Sequence, residues 1–182
     1  MLVAGWPAAG KSTLARALAT ELDLPLLAKD EIKEAMMDGL GYPPTVPESH
    51  RLGRAAVLVM LRIAQRCPGA VLDSTWFEYA DPLVRQLPGR CVELICTVPV
   101  QVARARYEAR AGQRHAGHLD AARTEAELWG GPPRSPGAGP VLQVDTSGPV
   151  DIRELAATLM SRLIESGPHR PEARRCLTES GL

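Results

Sequence analysis

Short apolar runs alternate with stretches of helical periodicity through most of the chain. The runs Met1–Ala4, Leu24–Ala28, Ala70–Asp73, Cys91–Val98 and Val141–Asp145 read as strands. Helical spacing fills the intervals over Lys11–Leu22, Asp30–Met37, Ser49–Arg66, Asp81–Leu87, Pro99–Ala111, Leu119–Leu128 and Asp151–Ile164. In the third of these, Leu52, Ala55, Ala56, Val59 and Ile63 form the expected apolar stripe, with Ser49 as N-cap. Pro99 suits a first helical turn, where a missing N–H costs little. The alternation predicts an α/β fold: a three-layer α/β/α arrangement around a five-stranded parallel sheet covered on both faces. Ligands bind such sheets beyond the carboxyl ends of the strands.

The pattern breaks in three places. Asp38–Glu48 carries Gly39, Gly41, Pro43, Pro44 and Pro47 and reads as a stiff irregular loop. Trp129–Pro140 is two-thirds Gly or Pro, a linker or mobile loop. Residues 166–182 are poor in apolar side chains and read as a flexible tail. The expected organisation is one domain over residues 1–165, followed by that tail.

Residues Gly5-Trp6-Pro7-Ala8-Ala9-Gly10-Lys11-Ser12 spell G-x-x-x-x-G-K-S between the first strand and the first helix. Such a P-loop turns several backbone N–H groups and the positive end of a helix dipole onto one anion. Gly5, Pro7, Ala8, Ala9, Gly10, Lys11, Ser12 and Thr13 are therefore expected to hold the phosphates of a nucleoside triphosphate. Lys11 should reach the β- and γ-phosphates, and the Ser12 hydroxyl should help hold Mg²⁺. Only four residues precede Gly5, so either the first strand is short or the natural chain begins upstream.

Composition narrows the partners. The 182 residues balance 21 basic against 21 acidic side chains, so no global charge draws the chain to nucleic acid or a membrane surface. The longest apolar run, Ala55 to Leu61, is too short to span a bilayer. No secretion signal precedes the P-loop, and the four cysteines form no C-x-x-C pair, which predicts reduced thiols and a cytoplasmic setting. The three lysines, Lys11, Lys29 and Lys33, all lie in the P-loop or just after the second strand, whereas arginine serves elsewhere. That marks Lys29 and Lys33 as candidate site residues, or as a solvated helix start.

Asp30 falls at the end of the second strand and at or beside an N-cap. It can cap, accept a proton from a substrate hydroxyl, or do both. Val71-Leu72-Asp73 resembles a Walker-B strand whose carboxylate holds Mg²⁺ through water. Thr75 and Trp76 follow and can touch an acceptor, although Trp76, Phe77 and Tyr79 can equally pack in the core. Arg106, Arg110 and Arg114 recur every fourth residue, which would stack three cations on one helix face. Like charges so spaced destabilise a free helix by roughly 0.2–0.5 kcal/mol per pair. The stripe makes sense against a polyphosphate, as an arginine-bearing lid with a break at Ala111-Gly112, or else is a solvated basic face. His115 and His118 lack the partners of a zinc set and are assigned to the lid, about residues 111–118. The Asp145–Pro149 turn suits a nucleotide base or a plain turn. Arg54, with His50 and Arg51, can bind an anionic acceptor or simply solvate the helix start.

Together the P-loop, the K-D-E-I-K segment, the acid-ended third strand, and V-P followed by spaced arginines resemble the small AAA-type ATP-binding proteins. That group is similar to the kinase end of phage polynucleotide kinase and, more distantly, to chloramphenicol phosphotransferase and the zeta toxins. The resemblance spans about residues 1–165 and implies Asp30 as base and Lys33 as a substrate- or phosphate-side residue. It implies Arg110 as the lid arginine supported by Arg106 and Arg114, and Asp73 as the acidic strand end. The function expected is a Mg²⁺- and ATP-dependent kinase acting on a hydroxyl of a small molecule. The alternatives are a nucleotide-binding switch or slow NTPase working through a protein partner, and a 5′-hydroxyl polynucleotide kinase. A neutral chain with no basic path beyond the lid makes a nucleic-acid partner poorly suited, and the absence of an N-K-x-D segment disfavours guanine.

Overall fold

The structure, a computed structural model, describes residues 1–110, 112 and 114–165. The expected tail at 166–182, and Ala111 of the expected hinge, lie outside the described residues. Five strands, β1 (Leu2–Gly5), β2 (Leu26–Ala28), β3 (Val71–Asp73), β4 (Glu93–Thr97) and β5 (Val141–Asp145), form one sheet in the order β2-β3-β1-β4-β5. Every pairing is parallel, and β1 holds the centre by pairing Val3 with Asp73 on one side and Leu94 on the other. A strand of four residues suffices there because both its neighbours and both sheet faces bury it completely.

Among the described residues seven α-helices accompany the sheet: α1 (Lys11–Glu21), α2 (Lys29–Leu40), α3 (Val46–Ala64), α4 (Asp81–Val84), α5 (Val100–Ala109), α6 (Glu125–Trp129) and α7 (Ile152–Glu165). One core joins Leu14 and Leu18 of α1, Ala103 of α5 and Leu159 of α7 to Val3, Val71, Leu94 and Val144 of the strands. The other joins Val57, Met60 and Leu61 of α3 and Val84 of α4 to Leu2, Leu72 and Ile95. Alternate strand residues thus serve opposite faces, as the pleat requires. None of the helices among the described residues is long and apolar enough to cross a membrane.

Three sequence expectations need correction. Helix α3 starts at Val46, and Thr45, not Ser49, is its N-cap, accepting from the Glu48 N–H. Its buried face is Ser49, Ala56, Val57, Met60 and Leu61, while Val59 and Ile63 are exposed. Both sides of this helix are apolar, so periodicity alone did not choose between them. Residues 119–128 are not one helix: 3₁₀ turns at Ala116–His118 and Asp120–Ala122 precede a short α6, whose start is fixed by a reciprocal Thr124–Glu127 capping box. Finally, α5 stops at Ala109 with Arg110 as C-cap, so Arg106, Arg110 and Arg114 do not share a helix face.

Candidate active site

A cavity of about 720 Å³ opens beyond the carboxyl ends of β1, β2 and β3. Its floor is the P-loop. Gly5 adopts φ 148° and Gly10 φ 85°; a Cβ at Gly5 would meet Cys96 at 3.0 Å, so that turn against β4 needs glycine. Ala8 is also left-handed, at φ 59°, a conformation that side chains tolerate mainly where surrounding structure imposes it. Pro7, Ala8, Gly10, Lys11, Ser12 and Thr13 line the cavity. Gly5 and Ala9 do not line it; Ala9 is fully buried, and its carbonyl accepts the Thr146 hydroxyl at 2.6 Å. That bond fastens the turn after β5 to the P-loop.

Lys11 Nζ donates to the Trp6 carbonyl at 2.7 Å, folding back along the loop. Burial lowers the pKa of Lys11, with Asp73 and Asp30 opposing the shift. Asp73 ends β3 beside it. Burial raises the pKa of that carboxyl, against the pull of Lys11 and a hydrogen bond with Ser12. The Ser12 hydroxyl and the Asp73 carboxylate thus already meet at the phosphate end. Two oxygen donors, one anionic, fit a Mg²⁺ ion, which keeps several of its waters.

Asp30 lines the same cavity as Lys11. Its placement separates the two readings of this residue: the N-cap of α2 is Ala28, with no side-chain cap, and Asp30 stands one turn position inside the helix. Its carboxylate is therefore not spent on capping. It contacts the Lys29 ammonium and, at 3.3 Å, Arg114 Nη2. Burial alone would raise its pKa, but Lys29, His118 and Arg114 hold it well below the usual carboxylate range. The negative charge at a helix N-terminus is favourable as well.

A profile of the AAA domain family matches residues 1–128. The chain belongs to that family. A "putative kinase" from Chloroflexus aurantiacus is 33% identical, with TM-score 0.77 over 88% of this chain and 96% of that one. A gluconokinase from Sinorhizobium meliloti (19% identity, TM-score 0.54, 90% of both chains) and a shikimate kinase from Acinetobacter baumannii (15%, 0.53, 90% and 92%) share the fold. An uncharacterised protein of Mycobacterium tuberculosis, Rv2004c, is 33% identical over 129 residues, or 61% of this chain. The chain spans about a quarter of the length of such curated relatives. The architecture is that of a P-loop nucleotide kinase, the fold expected from the strand and helix alternation.

On this AAA-domain scaffold the three arginines beyond β4 reach the cavity by different routes. Arg106 donates to the carbonyls of Thr146 and Ser147 at 3.0 and 2.9 Å, bracing the turn already tied to the P-loop. Arg114 Nη1 lies 2.7 Å from both Asp120 carboxylate oxygens. The expected unpaired stripe is thus replaced by two engaged arginines around Arg110. Arg110 packs over Tyr107, and its Nε is buried without a hydrogen-bond partner.

Lys33, Arg54 and Thr75 line the same cavity. Trp76 does not: it is buried, donates to the Val3 carbonyl at 3.1 Å and packs in the core under α3. The strand-end position put its backbone near the site, but its side chain turns back beneath the sheet. Phe77 and Tyr79 line the cavity instead, nearly parallel with ring centroids 6.2 Å apart, and Arg54 lies over Tyr79. Sequence reasoning missed Ser49, Asp120 and Arg123 here. Ser49 was legible only as a cap, and the other two lie in residues 119–128, whose spacing read as one helix but which form a 3₁₀ turn and a short helix.

Proposed function

We propose that this chain is an ATP-dependent kinase, domain 1–165, that transfers the γ-phosphoryl group to a hydroxyl of a small molecule. The observation that carries the reading is Asp30: a carboxylate, free of capping duty, that lines one cavity together with the P-loop lysine. The P-loop N–H groups and Lys11 would hold the β- and γ-phosphates. Ser12 and Asp73 would hold Mg²⁺, which when bound neutralises charge on the phosphate oxygens.

The acceptor hydroxyl donates to Asp30 and its oxygen attacks the γ-phosphorus. The new O–P bond forms as the bond to the bridging oxygen breaks, ADP leaves, and the hydroxyl proton passes to Asp30. A carboxylate with so low a pKa is a weak base. It suits a loose transition state in which the hydroxyl keeps its proton until late and must chiefly be aimed. Arg110, which lines the cavity with an unpartnered Nε, would shield charge on the transferring group, while Arg106 and Arg114 would support the surrounding wall. Residues 111–118 would act as a lid: His118 meets Glu34 at 2.7 Å and His115 meets Asp38 at 3.1 Å, both acids on α2. Free Cys67, Cys91 and Cys96 accord with a cytoplasmic setting.

The test is transfer of label from γ-labelled ATP to pooled hydroxyl compounds by wild type and Asp30→Asn. Transfer that the substitution abolishes supports the kinase. Phosphate release alone, equal in both proteins, would instead favour a nucleotide switch.

A further inference from the structure

The acceptor end of the cavity holds more positive charge than its acids answer. Lys33 is 2% exposed, and its ammonium makes one hydrogen bond, to the Ser49 hydroxyl at 2.6 Å. Arg123 donates to the same hydroxyl at 3.3 Å. Two cations therefore converge on one neutral oxygen, itself fully buried in the first half of α3. Among the described residues no carboxylate forms an ion pair with Lys33 or Arg54. Asp30 is already engaged by Lys29 and Arg114, and Glu127 reaches Arg123 only at 3.9 Å.

Burying a cation against a hydroxyl alone is costly, and placing a second cation beside it adds repulsion. Packing does not demand this arrangement, because the pair faces an open cavity rather than a filled core. A bound anion would offset both costs. Phe77 and Tyr79 give the same cavity an apolar wall, with Arg54 over the Tyr79 ring.

We propose that the phosphoryl acceptor is a small hydroxylated organic anion whose carboxylate or phosphate sits between Lys33 and Arg123, with Arg54 at the entrance. Its carbon frame lies against Phe77 and Tyr79, and its hydroxyl points to Asp30. The proposal rests on the kinase reading for the role of that hydroxyl, but the anion subsite itself does not depend on transfer.

Binding is measured first, by titration calorimetry on the full chain saturated with Mg²⁺ and a non-hydrolysable ATP analogue. The probes are inorganic phosphate, gluconate and 3-phosphoglycerate, with the neutral polyols glucitol and glycerol alongside. At least one anion should bind, and both polyols should bind far more weakly. Lys33→Met should weaken the anion about thirtyfold or more, and Arg54→Gln less. Arg54→Gln changes an exposed side chain, so it keeps the test valid if Lys33→Met folds poorly. Equal binding of polyols and anions, no anion binding, or wild-type anion affinity in both variants overturns the proposal. Labelled transfer to the same compounds then separates the two claims. Anion binding without transfer retains the subsite and sinks the kinase, whereas transfer only to neutral alcohols does the reverse.

Discussion

One end of the cavity is lined by residues of a single stretch, Pro7 to Thr13, whose glycine geometry suits it to holding phosphate through backbone N–H groups. The acceptor end is made by side chains from α2, α3, the segment after β3 and the turns at 114–123. One end offers a fixed cradle that suits any triphosphate; the other offers replaceable groups on separate elements. On the proposed reading function divides accordingly: the first would set what donates the phosphoryl group, the second what receives it. A substitution at one end should leave binding at the other largely intact.

The sharpest way to break that division is at its boundary, where Lys11 and Asp30 line one cavity. Asp30→Asn should lower the transfer rate roughly 10²–10⁴-fold, because on the proposed reading it removes the group that would aim the hydroxyl and take its proton. Nucleotide affinity, read by displacement of a fluorescent ATP analogue, should change little. Lys11→Met should lower transfer by roughly 10²–10³-fold and weaken the nucleotide as well. Should Asp30→Asn lose nucleotide as strongly as Lys11→Met, the two ends are one unit and the comparison is wrong.

Acidity sharpens the contrast next. Burial, then Lys29 and Arg123, press the Lys33 pKa from its ordinary 10.5 down to about 8, while Asp30 opposes them. Arg114 also faces it, as do His50 and His118. Lys33 is a cation below about pH 8 and neutral above, so anion affinity at the acceptor end should fall as pH rises through that value. The stability contribution runs the other way. The unfolded chain keeps the proton up to 10.5, so folding gains as pH climbs from about 8 toward 10.5, by at most about 3 kcal/mol. Urea midpoints of wild type and Lys33→Met across that range should show the difference. A constant gap would remove Lys33 as the titrating group.

The same contrast explains what was legible in the residues beforehand. The order of strands and helices and the P-loop followed from short-range patterns: apolar runs, glycine spacing and a strand-to-helix switch. Asp30 was visible because it follows the second strand and opens the next helix. The acceptor end resisted because its geometry is tertiary. Nothing local says that Ser49 is buried against Lys33, that Trp76 turns under the sheet while Phe77 faces out, or that α5 stops at Ala109. The arginine spacing looked helical and Arg110 did reach the cavity, yet Arg106 and Arg114 found carbonyl and carboxylate partners invisible to periodicity.

Gly53 gives the smallest effect and the finest probe of the division. It sits inside α3 at a helical, not left-handed, position and lines the cavity beside Arg54. A Cβ there would meet no atom within 4 Å. Gly53→Ala should therefore stabilise the fold by roughly 0.5–1 kcal/mol, since alanine loses less backbone freedom than glycine when the helix forms. The added methyl points into space that an acceptor would share, so acceptor KM should rise while nucleotide affinity stays fixed. A denaturant midpoint that rises together with an unchanged acceptor KM would place the acceptor away from α3.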